Sequence, residues 1–442
     1  MQTPTPTKVQ FNKLIEFRQA AYQCLGHARD AQFELVDAVL LTPTASSFVE
    51  LALSPVFRRR WPSVYAAIAD GTPDRQGLLR LYTAQLPSSP RPLLAGDHTA
   101  WPRLSARTLK DRTVEHQPTK IKGQKPITIG QGYSTLVWLP AETAGQSWAL
   151  PLLHERLTST DTPINKAVGQ LRQVVAALPA RPVVTWDSEY GNGVFAQASA
   201  GIAADHIIRL RPNLGLYGPP PPYSGHGCPR KHGVKFKLAA PPTTWEPGME
   251  TLEVDDPQLG PIRLTVWHAL HFRQTPQQPM PVVRIERLQA RGTRRDPKAL
   301  WLCWLGQPPP ALREWWRYYL RRFGVDHWYR FAKQRLHWTL PCFSTPEQAE
   351  RWSDLLPLST WLLWLARGLV ADKPRPWQKA QPAPTPGRVC AGMGAVLAVI
   401  GTPAQAPKPR GKSAGWPKGQ PRKRRERYAV VLKGRKKKKK AA

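Results

Sequence analysis

Apolar residues recur every three or four positions from about Val9 to Gln85, the spacing of amphipathic helices, with Pro55 and Pro62 as breaks. This predicts a helical module over residues 1–88. From Pro92 the period changes. Leu93–Asp97, Ile127–Pro140 and Ser147–Leu157 read as three strands, the last two joined by a turn at Ala144-Gly145. Ile164–Leu178 places Val168, Leu171, Val174 and Val175 on one side of a helix. Val183–Asp187 reads as a buried strand, Phe195–Ala204 as a helix and His206–Arg211 as a strand. That order predicts an α/β core with a mixed sheet, residues 89–211. Pro212–Pro242 reads as loop, and Gly233–Leu305 alternates apolar and polar positions as half-buried strands do. Residues 212–308 are therefore expected to form a β-rich insertion. Ala311–Trp338 predicts one helix and Thr345–Ala371 one or two more, with Thr345 and Gln348 spaced as a capping box. Residues 309–372 would be the second, helical part of the core. Residues 373–442, Pro-rich and then Lys/Arg-rich, are expected to be a disordered basic tail.

Charge changes this picture most. Lys and Arg number 64 against 30 acids, a formal net charge of +34. The stretch Lys408–Lys440 supplies +15 of this, so the rest of the chain still carries +19. A basic body implies a polyanion partner, most commonly nucleic acid. The alternatives are an anionic membrane surface or solubility alone. Arg58, Arg59 and Arg60 stand beside Trp61. The N-terminal helices therefore read equally well as a DNA-contacting module or as helices packed over the next domain. The lysine run Lys436–Lys440 reads as a nonspecific DNA clamp or a frayed end. Five scattered cysteines without a CxxC pair, no apolar leader and apolar runs too short for a bilayer predict a cytoplasmic protein with no membrane association. His226, Cys228 and His232 lack the second paired cluster that a structural zinc needs. No Gly-rich phosphate loop and no Ser-His-Asp or Cys-His arrangement is legible.

The chemistry concentrates in acids. Two core strands end on an aspartate, Asp97 and Asp187. Singly, each reads as a turn former or helix cap. As a pair at the mouth of one sheet they would repel, and such a pair normally takes a hard cation such as Mg²⁺. On the helix YYLRRFGVDHWYRFAKQRLHW, Tyr319, Arg322, Asp326 and Lys333 follow at steps of three, four and seven, which at about 100° per residue is one narrow stripe. An acid flanked by cations suits a site that holds metal and phosphate together. The plain alternative is an intrahelical Arg322–Asp326 ion pair. Trp315, Trp316, Trp328 and Trp338 read as core. Glu314 and Glu189 are fallback ligands.

The spacing Tyr, two residues, Arg, three residues, acid, six residues, Lys resembles the third-carboxylate helix of cut-and-paste bacterial insertion-sequence transposases, with Asp326 where those have Glu. GDHTAWPR and TWDSEYG resemble their first and second Asp segments, and PRGKSAGWPKGQPRKRRERYAVV is similar to tails in that group. The resemblance covers roughly residues 91–333 and the tail. It implies a DDE-type enzyme with an RNase H-like core, interrupted by a β insertion. Asp97 and Asp187 lie 90 residues apart, and 139 separate Asp187 from Asp326. The insertion would fill that second gap. It further implies Asp97, Asp187 and Asp326 as catalytic ligands of two Mg²⁺ ions, with Mn²⁺ as substitute. Tyr319, Arg322, Lys333 and Arg330 are then expected to contact double-stranded DNA, both transposon ends and target. A homo-oligomer on nucleoid DNA and cleavage followed by strand transfer are expected too. The rivals are a decayed or repurposed DNA-binding protein of transposase descent, for which the Asp-for-Glu departure speaks, and an RNA-binding protein.

Overall fold

A computed structural model describes residues 6–88, 91–117, 125–141, 148–245, 248, 250–257, 259–289, 298–372, 374, 376–377, 383–409, 415, 417–421 and 424–433. The Ala144-Gly145 turn and the lysine run Lys436–Lys440 lie outside these residues.

The N-terminal periodicity folds into α1 (Pro6–Cys24), α2 (Arg29–Leu41), α3 (Pro62–Asp70) and α4 (Arg75–Thr83). The core follows with β1 (Leu93–Pro102), β2 (Thr113–His116), β3 (Ile127–Trp138), β4 (Leu150–Leu157), α5 (Pro163–Ala177), β5 (Val183–Trp186), α6 (Gly193–Ser199) and β6 (Asp205–Leu210). Side-chain caps start three of these helices: the oxygens of Asp74, Thr162 and Asn192 accept from the amides of Gly77, Asn165 and Phe195. The fold is a mixed α/β one, as the pattern predicts. The short edge strand β2 was not anticipated, because four residues give too little alternation to read.

The middle of the chain forms β7 (Gly215–Tyr217) and β8 (Lys235–Lys237), a separate two-stranded ribbon, then β9 (Glu250–Asp256), β10 (Gly260–Leu270), β11 (Met280–Arg287) and β12 (Leu300–Leu305). The insertion does not stand apart from the core. Strand β12 pairs antiparallel with β6, Trp301 opposite Leu210 and Leu305 opposite His206. One ten-stranded sheet results, in the order β2-β3-β1-β5-β6-β12-β11-β10-β9 with β4 also on β3. The continuous apolar run of β12, LWLCWL, suits a central strand buried on both faces.

Ala311–Trp338 was expected as one helix. It is a 3-10 turn, Leu312–Glu314, followed by α7 (Trp315–Arg321) and α8 (Phe323–Gln334), which meet at Arg322. Helix α8 stops four residues early because His337 adopts φ +57° and the chain turns back, the Trp338 amide bonding to the Ala332 carbonyl. The four tryptophans Trp315, Trp316, Trp328 and Trp338 are all buried, as core. Next is α9 (Pro346–Ala366), capped by Thr345 on the Gln348 amide, while Gln348 returns its side-chain oxygen to the Ser344 amide.

The expectation of disorder from residue 373 fails for much of the described tail. Helix α10 (Pro386–Ile400) buries Val389, Cys390, Met393, Val396 and Leu397, and it packs on α2 and α9. Its glycines and flanking prolines hid an ordinary apolar face. Farther on, the Tyr428 and Val431 amides bond to the carbonyls of Arg107 and Arg112 beside β2, and Val431 bridges Thr113. One apolar core runs from Leu14 to Ala404, so the N-terminal helices share it with the sheet. Among the described residues no helix is long and apolar enough to cross a membrane.

Candidate active site

Strands β1 and β5 are parallel neighbours, with Gly96 opposite Trp186. Asp97 and Asp187 each follow that pair by one residue. Asp187 therefore leaves the end of β5 at the level of Asp97 on the adjacent strand, about 4.8 Å away. Strand β1 does not end on Asp97 as expected: it stays paired with β3 as far as Pro102 opposite Gly130, and Asp97 sits in mid-strand opposite Thr135. Gly96 is required there: a Cβ would fall 2.0 Å from the Trp186 indole. The Asp97 carboxylate accepts from its neighbour's amide, His98 N, at 2.8 Å, and Asp187 accepts from Glu189 N at 2.8 Å. His98 Nε2 and Glu189 Oε2 stand 3.5 Å apart, so the residues that follow the two acids face each other.

Helix α8 lies against β1. Arg322, at its start, reaches both Asp97 and Asp326 at 3.4 Å. Asp326 thus comes to the site through a shared guanidinium, and its side chain is 46% exposed against 13% for Asp97. The expected intrahelical Arg322–Asp326 ion pair is present, and the same guanidinium also pairs with Asp97. Lys333 donates to Thr99 Oγ1 at 2.8 Å, and its ammonium sits 5.6 Å over the Trp338 ring. Tyr319 is buried, 2% exposed, with its ring 5.8 Å from the Arg322 guanidinium. It presents no surface to a DNA strand, whereas Arg330 is exposed. Glu314 precedes α7, and its charge acts on Tyr318. His232 Nδ1 turns to His271 Nε2 at 3.0 Å, while His226 and Cys228 are exposed.

Three residues that the sequence reading passed over hold the site together. The Tyr329 hydroxyl donates to the Asp97 carbonyl at 3.0 Å and lies 2.9 Å from Thr135 Oγ1, which is 2.8 Å from His154 Nδ1. Tyr329 lies one helical turn past Asp326, a spacing that could have flagged it.

Burial pushes the Asp97 carboxyl up to about 7. Arg322 opposes the rise, Asp187 adds to it, His98 opposes it and Asp326 adds to it. Burial also raises Asp326 against the pull of Arg322, and burial lowers Lys333 to about 8 although Asp97 resists. An oxygen-only donor pair whose negative charge is under-compensated fits a hard divalent cation. Among the described residues no group of three or more His, Cys, Asp or Glu converges as a metal cage.

A sequence model of the DDE superfamily endonucleases matches residues 20–259, more than half of the 442. The chain belongs to that family and is a DDE-type transposase-like protein. The match contains Asp97 and Asp187 and ends before Asp326. Nuclease- or transposase-type action on DNA follows from the family, as does a general use of divalent metal ions. No curated protein matches the chain.

Proposed function

We propose that the protein is a transposase that cleaves transposon-end DNA and joins the freed 3′ end to target DNA. The observation that carries this reading is the Asp97–Asp187 pair, placed at one level of two adjacent parallel strands. Asp97 and Asp187 would hold the Mg²⁺ ions, or Mn²⁺ in their place, and Asp326 would add an oxygen from α8. When bound, such cations neutralise phosphate charge and lower the pKa of the attacking water. Arg322 keeps Asp326 beside Asp97 and faces the phosphate. Lys333 holds a proton near neutral pH and donates from beside Thr99, and Arg330 meets the DNA backbone from the exposed side of α8. Tyr319 acts from beneath, by seating Arg322.

In the first step water adds across the P–O3′ bond at the transposon end, leaving a 3′-hydroxyl and a 5′-phosphate. In the second, that 3′ oxygen bonds to a target phosphorus and the target's own 3′ oxygen leaves with a proton. Two ends must be joined at one target, so the working form would be a homo-oligomer on double-stranded DNA, resident at the nucleoid.

The test is Mg²⁺- and Mn²⁺-dependent nicking of supercoiled plasmid by the parent and by Asp187→Ala. Nicking that persists in the variant removes the assignment. A second reading, a DNA-binding protein of transposase descent whose chemistry has lapsed, is favoured by one observation: Asp326 is paired to Arg322 and completes no three-acid cluster. Tight DNA binding with no metal-dependent nicking by the parent would support it.

A further inference from the structure

Of the arginine cluster beside Trp61, two members are engaged within the fold. Arg58 and Arg59 pair with the buried Glu34, and both bond to the Gln405 carbonyl. Arg60 has no ion-pair partner among the described residues and is exposed. It borders a cup of about 530 Å³ whose other walls include Ala52, Leu53, Trp61 and Pro62, together with Glu50, whose carboxylate is taken up by the Ser46 amide and the Ser47 hydroxyl. Leu53 is 82% exposed and Trp61 59%, although both sit in a well-packed part of the fold. The 3-10 turn that carries Leu53 is fixed through Phe48, whose ring meets Trp352 at 4.9 Å and Phe343 at 5.4 Å. Phe343 in turn meets Trp101, on β1 four residues past Asp97. The cup is thus rigidly attached to the strand that bears the first carboxylate.

Single exposed apolar side chains are ordinary, but Leu53 and Trp61 adjoin Val49, Ala52 and Pro62 in one cup, and a contiguous apolar patch on a firm scaffold marks a contact surface. The occupant has to offer a flat apolar face together with negative charge, because the free cation stands beside the indole on a chain of net charge +34. Stacking on an aromatic ring with a cation for the phosphate is how proteins hold unpaired nucleotides. We propose that the Trp61 cup receives an unstacked base of single-stranded DNA, with Arg60 on its phosphate. A duplex, whose bases are stacked inside, cannot use it. This rests on the DNA-acting reading above and adds a site for an opened strand.

The experiment compares full-length protein binding to fluorescein-labelled oligothymidylate of 20 nucleotides and to a 20-base-pair duplex, without metal. Trp61→Ala should weaken the single strand about tenfold and leave the duplex within about twofold. Trp61→Phe should retain single-strand binding within about threefold. Arg60→Ala should weaken binding and reduce the salt slope by about one. Unchanged single-strand affinity in Trp61→Ala, or equal loss on both probes, overturns the proposal. So does a change in sedimenting mass with affinity kept, which would make the cup a protein contact. Plasmid nicking is read separately: a parent that binds with this selectivity yet never nicks defeats the transposase reading and leaves the cup standing.

Discussion

The strand-borne acids and the helix-borne acid reach the same site by different means. Asp97 and Asp187 are set by backbone pairing: the parallel register of β1 and β5 fixes their level. Asp326 is set by side chains, through one guanidinium shared with Asp97, and its carboxylate is half in solvent. Register is held cooperatively by a whole sheet, whereas a 3.4 Å ion pair is one local contact. The strand pair should therefore be the rigid element and Asp326 the adjustable one.

The largest effect expected is on the rigid element. Asp97→Ala and Asp187→Ala should each lower metal-dependent nicking by about 10²–10³-fold, with duplex affinity in EDTA kept within a few fold. Next comes the link between the two elements. Arg322→Ala leaves Asp97 buried without its main counter-charge. At pH 8, where Asp97 is ionised in the parent, it should cost about 2–3 kcal/mol in denaturant unfolding, below the figure for a fully buried pair because Asp326 is half exposed, and the cost should shrink toward pH 5 as Asp97 takes up its proton. No loss of stability would show that the guanidinium does not hold the helix acid. Smaller again is the change at Asp326 itself. Asp326→Ala should reduce nicking by about tenfold, and Asp326→Glu, which extends the reach by one methylene, should raise it above the parent. Should Asp326→Ala fall as far as Asp187→Ala, the distinction between the two elements collapses.

The smallest effect is thermal and depends on pH. In the metal-free protein Asp97 keeps its proton up to about pH 7, against 3.8 for the ordinary group. Folding then takes up a proton between those values, so this group's contribution to stability falls as pH rises from 4 to 7. Asp97→Asn removes that dependence. In EDTA the Tm of the variant minus that of the parent should grow more positive from pH 5 to pH 8. Mg²⁺ should stabilise the parent more than the variant at pH 8. A flat difference would show that the site does not hold the Asp97 proton.

The strand-end reading holds for Asp187, which follows the last residue of β5, but Asp97 lies inside β1: its apolar run stops at the acid while the pairing with β3 carries on to Pro102, and such pairing is a tertiary matter that the local pattern does not encode. The stripe on the 319–333 helix was legible by period, yet its meaning was not. Periodicity places Tyr319 in line with Asp326 without saying that Tyr319 faces inward and is buried. The joining of the insertion to the core could not be read, because pairing of β12 with β6 links residues about 95 positions apart and no local spacing encodes it. Helix α10 was missed for the opposite reason: its apolar face was visible, but Gly392, Gly394 and the prolines around it argue locally for loop. Tyr329 was passed over as one more aromatic on a core-facing helix, since its tie to the Asp97 carbonyl is a tertiary contact.

The buried Arg18–Asp37 pair in the first two helices is finished by the carbonyl of Gly401, just after α10 and 383 residues later. On the ribosome, at about 5–20 residues per second, the early helices would wait roughly 20–80 s for that acceptor. Arg18 is enclosed in the finished protein, so until then the module that carries the Trp61 cup is incompletely closed. A chain of this design closes the module beneath its binding surface only once residue 401 has been made, so the first two helices and the turn after α10 are completed as one unit.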